Sequence, residues 1–160
     1  MSQAAKEHPV ESAAKARLRL WLKLLKASKQ IEGELRENFR VEFQSTLPRF
    51  DVMAALYRFP KGLLMNELSD ELKVSNGNVT GLVDRMVGDS LVSRDPVVGD
   101  RRALRVKLTA TGKKVFLKQA KQHERWVDDL LNDVSPQDAE SVIEHIEKII
   151  SNNANEQSDR

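Results

Sequence analysis

The first part of the chain is a long segment in which apolar residues recur with the period of a helix. From about Ser12 to Phe43 it contains no proline and only one glycine, Gly33, which predicts one long helix or two helices separated near that glycine. This segment has two apolar stripes, the first formed by Leu18, Trp21, Leu22 and Leu25 and the second by Leu20, Leu24, Ala27, Ile31 and Leu35. One apolar stripe is enough to dock a helix on its own domain. The second stripe therefore predicts burial against a partner subunit and indicates a homodimer.

Three shorter helices are predicted in the middle of the chain. Thr46-Leu47-Pro48 supplies the cap residue and the first-turn proline of a helix start, and Phe59-Pro60-Lys61-Gly62 ends that helix. Between Met65 and Asp89 the pattern predicts two short helices joined by a tight turn, with Ser75 as the N-cap of the second. This arrangement is that of a helix-turn-helix.

A hairpin is predicted immediately after the helix-turn-helix. Residues 91–108 contain a turn at Val98-Gly99-Asp100, followed by the alternation of a strand with one face in water. The alternating residues are Leu104, Arg105, Val106, Lys107 and Leu108. The predicted fold class is therefore mainly α with a small β-hairpin wing, a winged helix-turn-helix with N- and C-terminal dimerisation helices.

Two final helices complete the predicted domain. They begin at Thr111-Gly112 and at Ser135-Pro136, and the second carries a narrow stripe of valines and isoleucines. Residues 1–11 and 151–160 are polar and are expected to be flexible. The domain between them, residues 12–150, has predicted dimerisation helices at about 12–45 and 112–150, a head at 46–111, a helix-turn-helix at 65–89 and a wing at 91–108.

Composition narrows the classes of protein that fit this pattern. A chain of 160 residues can bury a hydrophobic core that is stable without disulfide or metal cross-links. The absence of cysteine excludes disulfides, thiolate metal sites and a thiol-based oxidant sensor. No apolar run is long enough for a membrane span, and the N-terminal residues lack the apolar region of a signal peptide. We therefore expect a cytoplasmic protein with no membrane partner.

Charge is distributed unevenly along the chain, although the net charge is only +2. Residues 93–121 carry nine basic against two acidic side chains, whereas residues 122–160 carry three against ten. Charge runs are often solvated faces, but here the basic residues include the tip of a hairpin. This placement favours binding to a polyanion.

The second helix of the helix-turn-helix opens with short polar residues and two glycines. Gly81 lies inside the helix, where glycine costs about 1 kcal/mol relative to alanine. A helix end in a DNA major groove explains this cost, because small residues let the backbone approach and asparagine can bind base edges. An exposed helix of low propensity is the alternative, and the basic hairpin that follows favours DNA. The predicted DNA contacts here are Ser75, Asn76, Gly77, Asn78, Thr80, Gly81 and Arg85.

The hairpin tip adds a second group of predicted DNA contacts. Arginine at the tip of a narrow ribbon can enter the minor groove, where negative potential is focused. Phosphate would repel a carboxylate, so Asp100 is expected to hold an adjacent arginine in place. A surface ion pair alone would contribute little and would not explain two arginines at one tip. The residues assigned to the wing are Asp100, Arg101, Arg102 and Arg105.

Several motifs of the chain resemble the MarR family of bacterial transcription regulators. The most specific are Val79-Thr80-Gly81-Leu82-Val83-Asp84-Arg85-Met86 and Asp100-Arg101-Arg102 with Leu108-Thr109-Ala110-Thr111-Gly112. Leu47-Pro48-Arg49-Phe50-Asp51-Val52-Met53 adds to the resemblance, which spans about residues 14–150. The resemblance implies an obligate dimer through the first and last helices, a pseudo-palindromic double-stranded DNA site, and repression that a small ligand releases.

Within that family, residues 75–81 together with Leu18-Arg19-Leu20-Trp21-Leu22 resemble regulators of aromatic acid breakdown. The implied effectors are phenolic acids, including hydroxycinnamic acids, or their coenzyme A thioesters. Arg36 and Arg40 are one helical turn apart and fit either an acidic ligand or the ordinary role of solvated helix charges. The residues proposed to line an effector pocket are Trp21, Arg36, Phe39, Arg40, Phe43 and His123.

Other functions find less support in the sequence. The three histidines show no ligand spacing, and no metalloprotease, phosphate-loop or nucleophile-elbow motif is present, so neither an enzyme nor a cofactor or metal site is expected. RNA binding would need more aromatic residues for stacking. Two alternatives remain: a repressor of efflux or stress genes that responds to another small aromatic ligand, and a winged-helix module that binds protein, which would predict a wing without basic residues.

Overall fold

The computed structural model describes residues 12–158, apart from the side chains of Arg101 and of residues 153–158. The predicted flexible segment 1–11 lies outside the described residues. The helices are α1 (Ala13–Phe43), α2 (Leu47–Arg58), α3 (Met65–Leu72), α4 (Asn76–Gly88), α5 (Ala110–Leu130) and α6 (Pro136–Ser158), and the strands are β1 (Leu63–Leu64), β2 (Val92–Val97) and β3 (Asp100–Leu108). The prediction of a mainly α winged helix-turn-helix is confirmed.

Helix α1 is continuous through Gly33, so the sequence's two alternatives resolve to one helix of 31 residues. The Ser12 side chain caps its start by accepting a hydrogen bond from the Lys15 backbone N–H at 3.3 Å. Gln44 ends the helix in the left-handed conformation, with φ of 48°, and donates its backbone N–H to the Phe39 carbonyl. Both ends therefore have local backbone partners.

The chain divides into two compact units, which meet between Lys121 and Gln122 within α5. The first unit contains a three-stranded antiparallel sheet in the order β1-β3-β2, with Leu63 opposite Val106 and Val92 opposite Leu108. Its core also contains a row of aromatic rings whose successive centroids are 4.8–5.9 Å apart. The rings in order are Phe43, Phe39, Phe50, Phe116 and Tyr57.

Helix α5 begins at Ala110, one residue before the predicted start, and Thr109 rather than Thr111 caps it. The Gly112 backbone N–H donates to Thr109 Oγ1 at 2.9 Å, and Thr109 Oγ1 donates to the Ser90 carbonyl at 2.6 Å. Gly112 is buried against the first residue of the wing. A Cβ at this position would overlap the Leu91 carbonyl, so the close approach of α5 requires glycine.

The second unit consists of the end of α5 and all of α6. Ser135 caps α6 by accepting a hydrogen bond from the Asp138 backbone N–H at 3.1 Å and by donating to the Asp138 carboxylate at 2.7 Å. The sequence placed residues 151–160 in a flexible tail, whereas α6 continues to Ser158. No glycine or proline occurs between Ser151 and Ser158, so the backbone can continue as a helix after the apolar stripe has ended. No helix of the described residues is long and apolar enough to span a membrane.

Candidate nucleic-acid interface

Helix α4 presents a polar face to solvent along its first two turns. Ser75 precedes it in an extended conformation, and its side chain makes no capping hydrogen bond. Asn76 Oδ1 accepts a hydrogen bond from Ser69, and Thr80 Oγ1 donates to the Asn76 carbonyl at 2.8 Å. The Asn78 side chain makes no hydrogen bond among the described residues, so its amide group is available to an external partner. The opposite side of the helix buries Val79, Val83 and Met86.

The glycines of α4 are not required by packing. A Cβ at Gly77 would have no neighbour within 4 Å, and one at Gly81 would meet only Arg85 Nη1 at 3.8 Å. Neither residue has a positive φ. Glycine at these two positions therefore lowers helix stability without any steric need.

Two arginines outside the helix hold α4 in place. Arg49 of α2 donates to the Asp89 carboxylate at 2.6 Å, just after the helix ends. Arg94 of β2 lies with its Nη2 2.5 Å from Asp84 Oδ1. The sequence analysis did not identify these two ion pairs, because their partners are separated by 10 and 40 residues and only the fold brings them together.

The wing is the hairpin of β2 and β3. Gly99 has a φ of 89° at its tip, a conformation that favours glycine, and Val98 beside it is fully exposed. The Asp100 carboxylate accepts a hydrogen bond from the Arg102 backbone N–H at 2.9 Å, so it orients the main chain at the tip. Arg101 belongs to β3, and its side chain lies outside the described residues.

A groove of about 370 Å³ separates the start of α4 from the wing. It brings together two predicted DNA contacts, Asn76 and Arg102, and adds Asn66, which the sequence analysis did not assign to the site. Arg105 is placed differently: its Nη1 donates to the Gly62 carbonyl at 2.9 Å and lies 3.9 Å from Glu67 Oε2. The groove is lined by Leu64, Met65, Asn66, Asn76, Arg102, Ala103 and Leu104.

A larger crevice of about 660 Å³ lies on another side of α4. Its polar walls include Arg36, which donates from Nε to Glu32 Oε1 at 3.1 Å, and Asp51. Partial burial raises the pKa of Asp51; the nearby Glu32 carboxylate raises it further and Arg36 opposes the shift. The crevice is lined by Glu32, Arg36, Thr46, Pro48, Asp51, Leu72, Val74, Asn78, Val79, Leu82 and Arg85.

Comparison with known proteins assigns the fold to a family. The family model described as "MarR family" matches residues 45–103. The crystal structure of a MarR family transcriptional regulator from Silicibacter pomeroyi is 34% identical to this chain, with a TM-score of 0.75 over 89% of this chain and 99% of the other. This chain belongs to the MarR family.

One further relative and one further solved structure are similar to this chain. The transcriptional activatory protein BadR from Rhodopseudomonas palustris is 32% identical over 110 residues, which are 67% of this chain and 63% of BadR. A mutant of MarR from E. coli, crystallised with operator DNA, shares the fold with 20% identity and a TM-score of 0.73, over 87% of this chain and 99% of the mutant. The protein is a DNA-binding transcription regulator of the MarR family, not an enzyme.

In this MarR fold the five predicted effector residues on α1 have different surroundings. Arg36 lines the crevice, but Phe39 is fully buried within the row of aromatic rings that also includes Phe43. Arg40 is exposed and pairs with Glu37 at 2.8 Å, which lowers the pKa of that carboxyl. Trp21 is 56% exposed on α1.

His123, the sixth predicted effector residue, is half-buried in the second unit, where desolvation lowers its pKa. The crevice combines residues of α1 with residues of α2, α3 and α4, which the sequence analysis did not group together. Four separate helices contribute to it, and no local motif marks such a set.

Proposed function

We propose that this protein is a homodimeric repressor of genes for the breakdown of aromatic acids, which binds a pseudo-palindromic operator and is released by an aromatic acid or its coenzyme A thioester. The observation that carries the DNA-binding part is the exposed face of α4, where the Asn78 side chain has no hydrogen-bond partner among the described residues and Gly77 and Gly81 have no packing role. In a dimer, the two α4 helices would enter successive major grooves, about one duplex turn apart. The wings, with Arg101 and Arg102, would reach the flanking minor grooves.

The crevice suits an effector of modest size. Its volume of about 660 Å³ suits a small molecule, and its walls combine apolar residues such as Leu72, Val74 and Leu82 with two arginines, Arg36 and Arg85. Glu32, which pairs with Arg36, and Asp51 also line it, so the acid group of an effector would compete with these carboxylates for the guanidinium groups. Asn78 and Arg85 belong both to the crevice and to the predicted DNA contacts. An occupied crevice would therefore alter the helix that binds DNA, and a few kcal/mol of differential affinity would suffice for release.

The test is fluorescence anisotropy of the purified protein on DNA from upstream of its own gene and on scrambled DNA at several salt concentrations. We expect tight, salt-dependent and sequence-selective binding by a dimer, and release by aromatic acids or their thioesters. The Arg36→Gln variant should bind DNA normally and respond less to these compounds, because Arg36 lies on α1 rather than on α4.

Failure of each part has a distinct signature. Equal affinity for both DNAs, followed by no enriched motif in a selection from random sequence, would reject sequence-specific regulation. Binding that no aromatic compound releases would favour the alternative, a repressor of efflux or stress genes with a different ligand. In a reporter strain, lower expression on deletion of the gene would show activation rather than repression.

Complementary surfaces on α1 and α6 support the homodimer. On α1, Leu18, Trp21 and Leu22 are each more than half exposed and are flanked by a basic stripe that includes Lys23 and Lys26. On α6, the apolar residues Val142, Ile143, Ile149 and Ile150 are 46–62% exposed, and Glu140, Glu144 and Glu147 follow one another on a neighbouring face. An apolar strip with a basic edge fits an apolar strip with an acidic edge on a second copy.

Charge reversal tests this pairing. We expect Lys23→Glu with Lys26→Glu, and separately Glu144→Lys with Glu147→Lys, to raise the dimer dissociation constant by about tenfold or more, because each places like charges at both contacts. Mixing the two variants should restore a dimer, since both α1–α6 contacts of the heterodimer again pair opposite charges. Sedimentation velocity measures both effects, with Lys61→Glu as a control. Variants as dimeric as the wild type would contradict the pairing.

A further inference from the structure

Helix α4 faces the crevice on one side and the wing on another. Asn78, Leu82 and Arg85 line the crevice, and Asp84 lies roughly a third of a turn around the helix from them. Asp84 pairs with Arg94 on β2, at 2.5 Å between Oδ1 and Nη2. One ion pair thus joins α4, the helix that is proposed to read the DNA sequence, to β2, the first strand of the wing.

Arg94 is held more tightly than an ordinary surface arginine. Its side chain is 24% exposed, whereas that of Arg58, which forms a comparable ion pair between α2 and α3, is 61% exposed. The Nε of Arg94 is buried, and no described residue accepts a hydrogen bond from it. A buried donor without a protein partner is unfavourable, so the Asp84 carboxylate is the charged group that compensates the burial of this guanidinium.

The sheet connects Arg94 to the DNA-binding part of the wing. Arg94 pairs in register with Val106 on β3, the strand that also carries Arg102. Asp95, the next residue on β2, lies 3.3 Å from Lys107 Nζ, which adds a second link between the two strands. The position of β2 therefore sets the position of β3 from Leu104 to Leu108, and Arg102 lies two residues farther towards the tip, where the register shifts between Pro96 and Val97.

We propose that Arg94 is a positioning residue which, through Asp84, fixes the wing relative to α4 so that Arg102 and the recognition face contact DNA together. This proposal rests on the proposed DNA-binding role of α4 and the wing. Without the ion pair, the hairpin would be free to tilt away from α4, and Arg102 would contribute less to binding although its own side chain is intact.

A double-mutant cycle tests the coupling. In the wild type, Arg102→Ala should weaken operator binding by about tenfold, the expectation for a lost phosphate contact in a dimer. In an Arg94→Gln background Arg102→Ala should weaken operator binding by about twofold or less, because the wing is already displaced. Arg94→Lys keeps the positive charge opposite Asp84. In that background Arg102→Ala should again weaken operator binding by most of the wild-type factor. Fluorescence anisotropy at fixed salt measures every combination.

The control is Arg58→Gln, which breaks an ion pair of similar length, 2.7 Å, that touches neither α4 nor the wing. In that background Arg102→Ala should keep its full effect. If Arg94→Gln does not fold, as judged by thermal denaturation, Asp84→Asn removes the same pair with almost no change in shape. Additive effects of Arg94→Gln and Arg102→Ala would overturn the proposal, whereas wild-type protein without sequence-selective binding would instead reject the proposed function.

Discussion

Replacing Gly112 with alanine is expected to lower the free energy of unfolding by about 3–5 kcal/mol or to prevent folding. The new Cβ would overlap the Leu91 carbonyl oxygen, which has little freedom to move. That oxygen accepts a hydrogen bond from the Thr109 backbone N–H at 3.1 Å, and it also lies 3.1 Å from Thr109 Oγ1, whose proton is directed to the Ser90 carbonyl at 2.6 Å. Relief of the overlap would separate α5 from the base of the wing and break the bond to the Thr109 N–H.

Urea denaturation of Gly112→Ala and wild-type protein at equal concentration measures this loss. Gly33→Ala is the matched control, because a Cβ at Gly33 has no neighbour within 4 Å and alanine is the better helix former. The control should be as stable as the wild type or more stable, by about 0.5–1 kcal/mol. Equal stability of Gly112→Ala and wild type would mean that the approach of α5 to Leu91 is not tight in solution.

Replacing Gly77 with glutamate is expected to weaken operator binding by at least about 100-fold while leaving the fold intact. Gly77 is exposed in the first turn of α4, a side chain there has open space, and a carboxylate near a helix N-terminus is favourable for the helix. The same carboxylate would lie on the face proposed to enter the major groove. It would repel phosphate and block the close approach of the backbone.

Gly88→Glu is the control for this second change. Gly88 belongs to the same helix, is exposed and also has no neighbour within 4 Å, but it lies at the end far from the proposed DNA face. Gly88→Glu introduces the same negative charge as Gly77→Glu but away from the proposed DNA face. Fluorescence anisotropy should therefore show only a small loss of operator affinity. Similar losses for the two variants would mean that α4 does not present its first turns to DNA.

Much of the head, residues 46–111, could be predicted from the sequence because the patterns that mark its helices and hairpin are local. Ser75 precedes α4 as expected, the hairpin turns at Val98-Gly99, and the alternation around Arg105 marks the face of a strand. Each of these depends on residues that are a few positions apart. Cap chemistry and side-chain period are sufficient to place them.

The features that the sequence could not supply depend on contacts between distant segments. Arg105 looks like a wing arginine, yet it donates to the Gly62 carbonyl, 43 residues away. Phe39 looks like a pocket residue, yet it is fully buried in the core, with its ring tilted against that of Phe50. The continuity of α1 at Gly33 is likewise decided by its surroundings, since one glycine lowers helix stability by only about 1 kcal/mol.

The unbroken course of α1 has a mechanical consequence. At 1.5 Å per residue its 31 residues make a rod of about 46 Å, with the exposed Leu18 and Trp21 near one end and Arg36 of the crevice near the other. A rod without a hinge converts a small tilt at one end into a larger displacement at the other. If the subunits associate through α1, that contact is a common pivot for the two protomers. A ligand that moves the crevice end of α1 by a fraction of an ångström would then tilt the whole helix about the subunit contact.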